Sequence, residues 1–431
     1  MEELFKKNRN KIEQLLNYAL DNPYSDFYRN KYNGEIRAGQ ISTYADLQKV
    51  PLLSKDEILA VPIEKRTFVP AEQVARYSFS SGTTNRNIFL AVPHADRSFS
   101  AIRLSDDYMS SFGVKQLLVL LAPFSPLRMK LFASLKKKII PVPGDINNLQ
   151  MTAILAKKIG VQGIVSTPTV LYFLINYLQE IDFDMKSIKW LSLGGELCSK
   201  QKFAYFKHHF PEAQIIFRYA CTEIGNTPLG YQCDSLAGKS PKEYHPCLKG
   251  LIEIIGSDGK QIAEGEAGEI VYTDFKSKAF PFIRYRIGDI GSIVKKECSC
   301  GEQYLLKLGG RVYFDALKFH EVTLYTQLIE ASLEETSSFI YPRYQMHVFE
   351  NHEQGRIMPQ LVLKVQLKND QNESSFLKKI IQETVSSKLF LSADKTLSYF
   401  VKNKIFLPLE VEFVEWPQTT TKFQNIVSHL S

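Results

Sequence analysis

No stretch of the 431-residue sequence approaches the roughly 18–20 uninterrupted apolar residues that a membrane-spanning helix needs. The start, Met1-Glu2-Glu3-Leu4-Phe5-Lys6-Lys7, carries both signs of charge. It lacks the basic start, apolar run and small-residue cleavage site of a signal peptide, so the expected location is the cytosol. Cysteine is scarce. Six residues in such a chain do not make the disulfide framework of a small secreted domain. Excess charge is small too: 53 Lys and Arg against 46 Asp and Glu leave +7. That balance fits a nucleotide as well as it fits nucleic acid and decides neither. Internal repeats and low-complexity tracts are absent.

What is present is the profile of a globular protein with a large core. Hydrophobic residues make up 44% and charged residues 23%, in a chain long enough for two or three domains. Residues 4–19 carry apolar positions at helical spacing, and Asn22-Pro23 stops the helix. Ser54-Lys55-Asp56-Glu57 is a capping box that opens another. From about 75 to 220, apolar runs (Leu117–Leu121, Ile139–Val142, Gly163–Ser166, Trp190–Leu193, Gln214–Phe217) alternate with helical stretches such as 149–159 and 168–180. Alternation of this kind predicts a parallel sheet with crossover helices. Ile252–Ile255, Glu269–Tyr272 and Ile290–Val294 predict a β-rich subdomain. After Gly309-Gly310 the pattern predicts a small α+β unit: 323–335 helical, 344–367 strand, 374–388 helical and 409–415 strand.

Tyr77-Ser78-Phe79-Ser80-Ser81-Gly82-Thr83-Thr84-Asn85-Arg86 sets hydroxyls around a glycine with a cation beyond. A phosphate-holding loop needs those groups: hydroxyl and backbone donors, close approach at Gly, and positive charge. A solvated Ser/Thr turn has the same composition. Cys298-x-Cys300, with Cys233 and His245 upstream, supplies thiolates and an imidazole of the kind tetrahedral zinc takes; Cys247 is an alternative to His245. Cys198 and Cys221 read as small core or pocket-wall residues.

Ser80-Ser81-Gly82-Thr83-Thr84 resembles the phosphate loop of the adenylate-forming enzymes, which include acyl-CoA synthetases, peptide-synthetase adenylation domains and luciferases. The resemblance continues in that family's order through Gly194-Gly195-Glu196, Tyr219-Ala220-Cys221-Thr222-Glu223, Arg284-Tyr285-Arg286-Ile287-Gly288-Asp289 and Gly310-Arg311. Asn22-Pro23-Tyr24, Pro51-Leu52-Leu53-Ser54-Lys55, Pro281–Arg286 and Cys298-Ser299-Cys300-Gly301 are similar to the phenylacetate–CoA ligase-like branch, some of whose members hold zinc at such Cys/His positions.

The resemblance implies an α/β fold in two parts. An ATP- and acid-binding domain over 1–310, with its β subdomain, is followed by a hinge at 311–316 and a mobile α+β lid over 317–431. It implies activation of a carboxylic acid by ATP and Mg²⁺ to an acyl-adenylate, then thioester formation with coenzyme A. Nucleic acid is not an expected partner, no membrane span is expected, and oligomeric state is not legible. On this reading ATP contacts Ser80–Thr84, Gly194, Gly195, Glu196, Tyr219, Asp289 and Arg311. Glu223 holds Mg²⁺ beside Thr222, Asp289 takes the ribose hydroxyls, and Lys422, in Thr419-Thr420-Thr421-Lys422, bridges acid and α-phosphate. Asp315 is the hinge candidate, and Val170, Leu171, Tyr172 and Phe173 suit an acyl-pocket wall or a core helix face. Ala220 and Thr421 stand where the family has Gly. The glycine expected after the hinge is missing from Lys318-Phe319-His320-Glu321. Transfer to an amine, hydroxyl or carrier protein, or a relative that binds without catalysing, therefore stand as alternatives.

Overall fold

A computed structural model describes the chain apart from residue 1, 80–88, 94–103, 124, 136–137, 199, 222–223, 225–227, 248, 257, 312–315, 321, 354–355, 370, 393, 417–424 and 431. The chain divides into two compact units, one ending at Gly309 and one running from Gly310 to Ser431.

The first unit is built on a sheet that has eleven strands among the described residues. Five are parallel and lie in the order Ile140–Pro143, Gln116–Leu120, Gly163–Ser166, Trp190–Gly194 and Gln214–Ala220. Helices Pro126–Ser134, Leu149–Ile159, Pro168–Glu180 and Lys200–His209 make the crossovers. A parallel strand covered on both faces must be apolar throughout. Gly163–Ser166 and Trp190–Gly194 are accordingly buried at every position, with Trp190 wholly enclosed. The alternation read from the sequence is thus realised, with strand ends shifted by up to three residues.

The predicted β subdomain does not stand apart. Pro228–Tyr231 pairs antiparallel with Gln214–Ala220, Glu243–Pro246 pairs with Pro228–Tyr231, and Tyr304–Arg311 pairs with Glu243–Pro246. Tyr285–Lys295, Gly268–Asp274 and Gly250–Ile255 extend the same sheet to its far edge. The N-terminal helix Glu2–Leu20 and the capped helix Lys55–Leu59 belong to this unit, and Ser54 and Glu57 form the expected capping box.

In the second unit Ile340–Glu353 and Arg356–Leu367 form a hairpin, flanked by parallel strands Glu410–Phe413 and Ile426–Ser428. Helix Ser375–Lys388 packs Leu377, Ile381 and Val385 against Met346, Val348, Leu361, Leu363 and Val365. One expectation is corrected here. Residues 323–335 are not one helix: Val322–Tyr325 is a strand paired with Ala316–Phe319, and helix Thr326–Leu333 follows. Val-Thr-Leu-Tyr is β-branched and aromatic enough to prefer the pleat once a partner strand is present. No described helix is long and apolar enough to cross a membrane.

Candidate functional site

In open α/β sheets, ligands bind outside the carboxyl ends of the strands. Three loops leave neighbouring parallel strands at that edge. Trp190–Gly194 runs into Gly195-Glu196, Gly163–Ser166 into Thr167, and Gln214–Ala220 carries Tyr219 one residue before its end. A Cβ on Gly194 would lie 2.7 Å from the carbonyl oxygen of Arg218, so only glycine allows that approach. Gly195 turns with φ +91°, a conformation that suits glycine.

Tyr219 donates its hydroxyl to Oδ2 of Asp289 at 2.8 Å, joining the parallel half of the sheet to strand Tyr285–Lys295. Asp289 is half-buried and Tyr219 buried. A carboxylate offers about four lone-pair sites, so this bond leaves capacity for vicinal hydroxyls. Glu196 turns its Oε1 to the backbone N–H of Thr169 at 2.5 Å, at the start of helix Pro168–Glu180. On that helix Val170, Leu171 and Tyr172 are buried and Phe173 is half-buried.

Two cations, the half-buried Arg218 and the buried Lys202, escaped the sequence reading. Arg218 donates Nε to the Ser192 hydroxyl at 2.6 Å; burial pulls its guanidinium down to about 10, so it stays charged at neutral pH. Lys202, 2% exposed, donates to the Thr169 hydroxyl at 3.4 Å. The signal for Arg218 was a single cation inside Gln-Ile-Ile-Phe-Arg-Tyr-Ala. For Lys202, which stands among other polar residues, there was none.

Ser80, Ser81, Gly82, Thr83, Thr84, Thr222, Glu223, Asp315 and Lys422 lie outside the described residues. Arg311 closes strand Tyr304–Arg311.

The second constellation is built at the tip that follows strand Tyr285–Lys295. There Gly301 N–H bonds Cys298 O at 2.9 Å and Cys298 N–H bonds Glu302 O at 2.8 Å, closing a turn that presents Cys298 and Cys300. Cys233 and His245 face it. Sγ of Cys233 lies 3.6 Å from Sγ of Cys298, and Nε2 of His245 lies 3.4 Å from Sγ of both Cys233 and Cys300. All four ligand atoms fall within 4.8 Å of one another. Tetrahedral zinc, with bonds of about 2.3 Å to sulfur and 2.0–2.1 Å to nitrogen, would separate its ligand atoms by roughly 3.5–3.8 Å. The donor set fits that ion.

Nδ1 of His245 bonds the Tyr304 carbonyl at 2.9 Å, which fixes the ring and turns Nε2 to the thiols. The Cys300 backbone N–H is the main influence holding the Cys298 thiol down, at about 6. Cys247 is not in the group. It lies opposite Leu229, whereas His245 lies opposite Tyr231, two residues nearer Cys233 on a ladder that rises about 3.4 Å per residue. Cys198 and Cys221 are buried.

No family model matches the sequence. A solved structure of 2-hydroxyisobutyryl-CoA ligase, in complex with 2-HIB-AMP and CoA, superposes with a TM-score of 0.69 at 17% identity, covering 99% of this chain and 90% of that one. The chain has the adenylate-forming fold. Amide bond synthetase McbA from Marinactinospora thermotolerans has a TM-score of 0.50 at 15% identity, over 84% of this chain and 70% of that one. In sequence, phenylacetate-coenzyme A ligase from Thermus thermophilus is 29% identical over 151 residues, 34% of this chain. The chain spans about a third of that relative's length, 31%.

Proposed function

We propose that the protein activates a carboxylic acid with ATP and Mg²⁺ to an acyl-adenylate and transfers the acyl group to coenzyme A. The observation that carries this reading is the junction at the carboxyl edge of the sheet, where Tyr219 bonds Asp289 and Glu196 bonds Thr169 within a chain whose fold matches a CoA ligase along almost its whole length.

Asp289, steadied by the Tyr219 hydroxyl, accepts hydrogen bonds from the ribose. Gly194 and Gly195 let the backbone approach the adenine, while Ser80–Thr84 and Arg311 hold the phosphates. Val170 to Phe173 wall the acid. Lys422 offsets the negative charge where carboxylate and α-phosphate meet and aligns the attack, a role of positioning and electrostatics. Glu223 is the assigned Mg²⁺ ligand; the metal, when bound, neutralises phosphate charge. Cys233, His245, Cys298 and Cys300 would hold a structural zinc, tying the 298–301 turn to His245 on strand Glu243–Pro246 and to Cys233 just after strand Pro228–Tyr231. The assigned compartment is the cytosol.

A second reading, transfer to an amine, hydroxyl or carrier protein, draws on the departure after the hinge. There His320, with φ +43°, fills a hairpin position that glycine would suit; it is buried and bonded to Glu350 at 2.8 Å. The test is ATP–pyrophosphate exchange with phenylacetate, benzoate, hexanoate and 2-hydroxyisobutyrate, followed by acyl transfer with and without coenzyme A. Exchange without thioester would favour the second reading, and absence of exchange with every acid would reject both.

A further inference from the structure

Helix Pro168–Glu180 begins with backbone N–H groups that have no partner inside the helix. The Thr167 hydroxyl takes the N–H of Val170 at 3.4 Å, an ordinary local cap. The N–H of Thr169 goes elsewhere, to Glu196 on the loop after the neighbouring strand. A carboxylate bond of this kind is charge-assisted, and it also meets the positive end of the helix dipole. Lys202 reaches Thr169 from a third element, so one threonine receives an anion on its N–H and a cation on its hydroxyl. Gly195 makes the turn that leads into Glu196, with the φ of +91° that suits glycine.

This joint links two loops with separate tasks, Gly194-Gly195-Glu196 on the nucleotide side and the helix start that leads into Val170–Phe173 on the acid side. We propose that Glu196 is a positioning residue coupling the two subsites. By gripping Thr169 it makes the ordering of the nucleotide loop and of the acid-pocket helix one event, so each substrate tightens the other. The proposal rests on the site reading given above. A shared ordering step yields positive coupling because the second ligand meets a joint the first has already fixed.

Calorimetric titration of the full chain with α,β-methylene-ATP tests this, with and without whichever of the four acids drives exchange best. In the unsubstituted protein, saturating acid should tighten nucleotide binding by about 5–150-fold, the usual span of such coupling. Glu196→Ala should reduce that factor below about 2-fold, and Glu196→Gln, which keeps a neutral acceptor for Thr169, should restore part of it. Thr167→Ala removes a cap from the same helix end but not the link between loops, so it should keep the coupling. Full coupling in Glu196→Ala, or equal loss in Thr167→Ala, overturns the proposal. So does an unsubstituted protein that binds nucleotide with no response to acid. One that binds no nucleotide at all overturns the site reading as well.

Discussion

Replacing Glu253 with Gln probes how the strand that carries Asp289 is held. Arg284 leads into strand Tyr285–Lys295 with φ +49°, a left-handed conformation that side chains other than glycine rarely adopt. Its side chain is 1% exposed and that of Glu253 0%. The guanidinium donates Nε and Nη2 to the two Glu253 oxygens at 3.1 Å each, and Nη1 to the carbonyls of Gln48 at 2.8 Å and Val50 at 2.6 Å. Tyr44 adds a hydroxyl bond to Glu253 at 3.0 Å. The amide leaves a buried cation without its counter-charge, a loss of about 3–5 kcal/mol for a broken buried pair. The unit ending at Gly309 should unfold with an entropy of roughly 0.65 kcal/mol/K, so the loss corresponds to about 5–8 °C in Tm. Scanning calorimetry reads it directly. Glu253→Leu combined with Arg284→Met should be less destabilised than Glu253→Leu alone, because no charge is stranded. A shift under about 2 °C for Glu253→Gln, or plain additivity in the double variant, would refute the reasoning.

Protein purified without added metal should carry about one zinc per chain by elemental analysis, and Cys300→Ser should lower that occupancy; six freely titratable thiols in the folded protein would sink the assignment. Burial and the neighbouring Lys364 and His429 hold His347 at about 4, below the ordinary 6.5. The unfolded chain therefore binds the extra proton first, and the second unit should lose stability as pH falls from about 6.5 to 4, a slope that His347→Gln should flatten in pH-dependent melts. Lys422→Ala should cut adenylation by about 10²–10³-fold while sparing thioester formation from supplied acyl-AMP. Equal loss in both half-reactions would remove Lys422 from its assigned role.

The parallel sheet was legible because runs such as Ile164-Val165 and Leu191-Ser192-Leu193 are bounded by clear helix starts, Thr167-Pro168 among them. Strand Val322–Tyr325 was not, since its identity depends on pairing with Ala316–Phe319 rather than on its own period. Ile426–Ser428, three residues long, is too short to leave a pattern. The cysteine cluster could be read from spacing, but choosing His245 over Cys247 needed the ladder that sets His245 opposite Tyr231. Nor could the sequence show that Lys202 and Glu196 meet at Thr169, because that contact joins three elements through a single residue.

ATP–pyrophosphate exchange in the full chain, with a panel of carboxylic acids and beside Glu223→Gln at limiting Mg²⁺, decides whether the protein adenylates an acid. Exchange should require both acid and Mg²⁺ and collapse in the variant, because the amide keeps the shape but loses the charge that ligates the metal. Exchange in no acid, or a Glu223→Gln protein that exchanges like the unsubstituted one, would contradict that expectation.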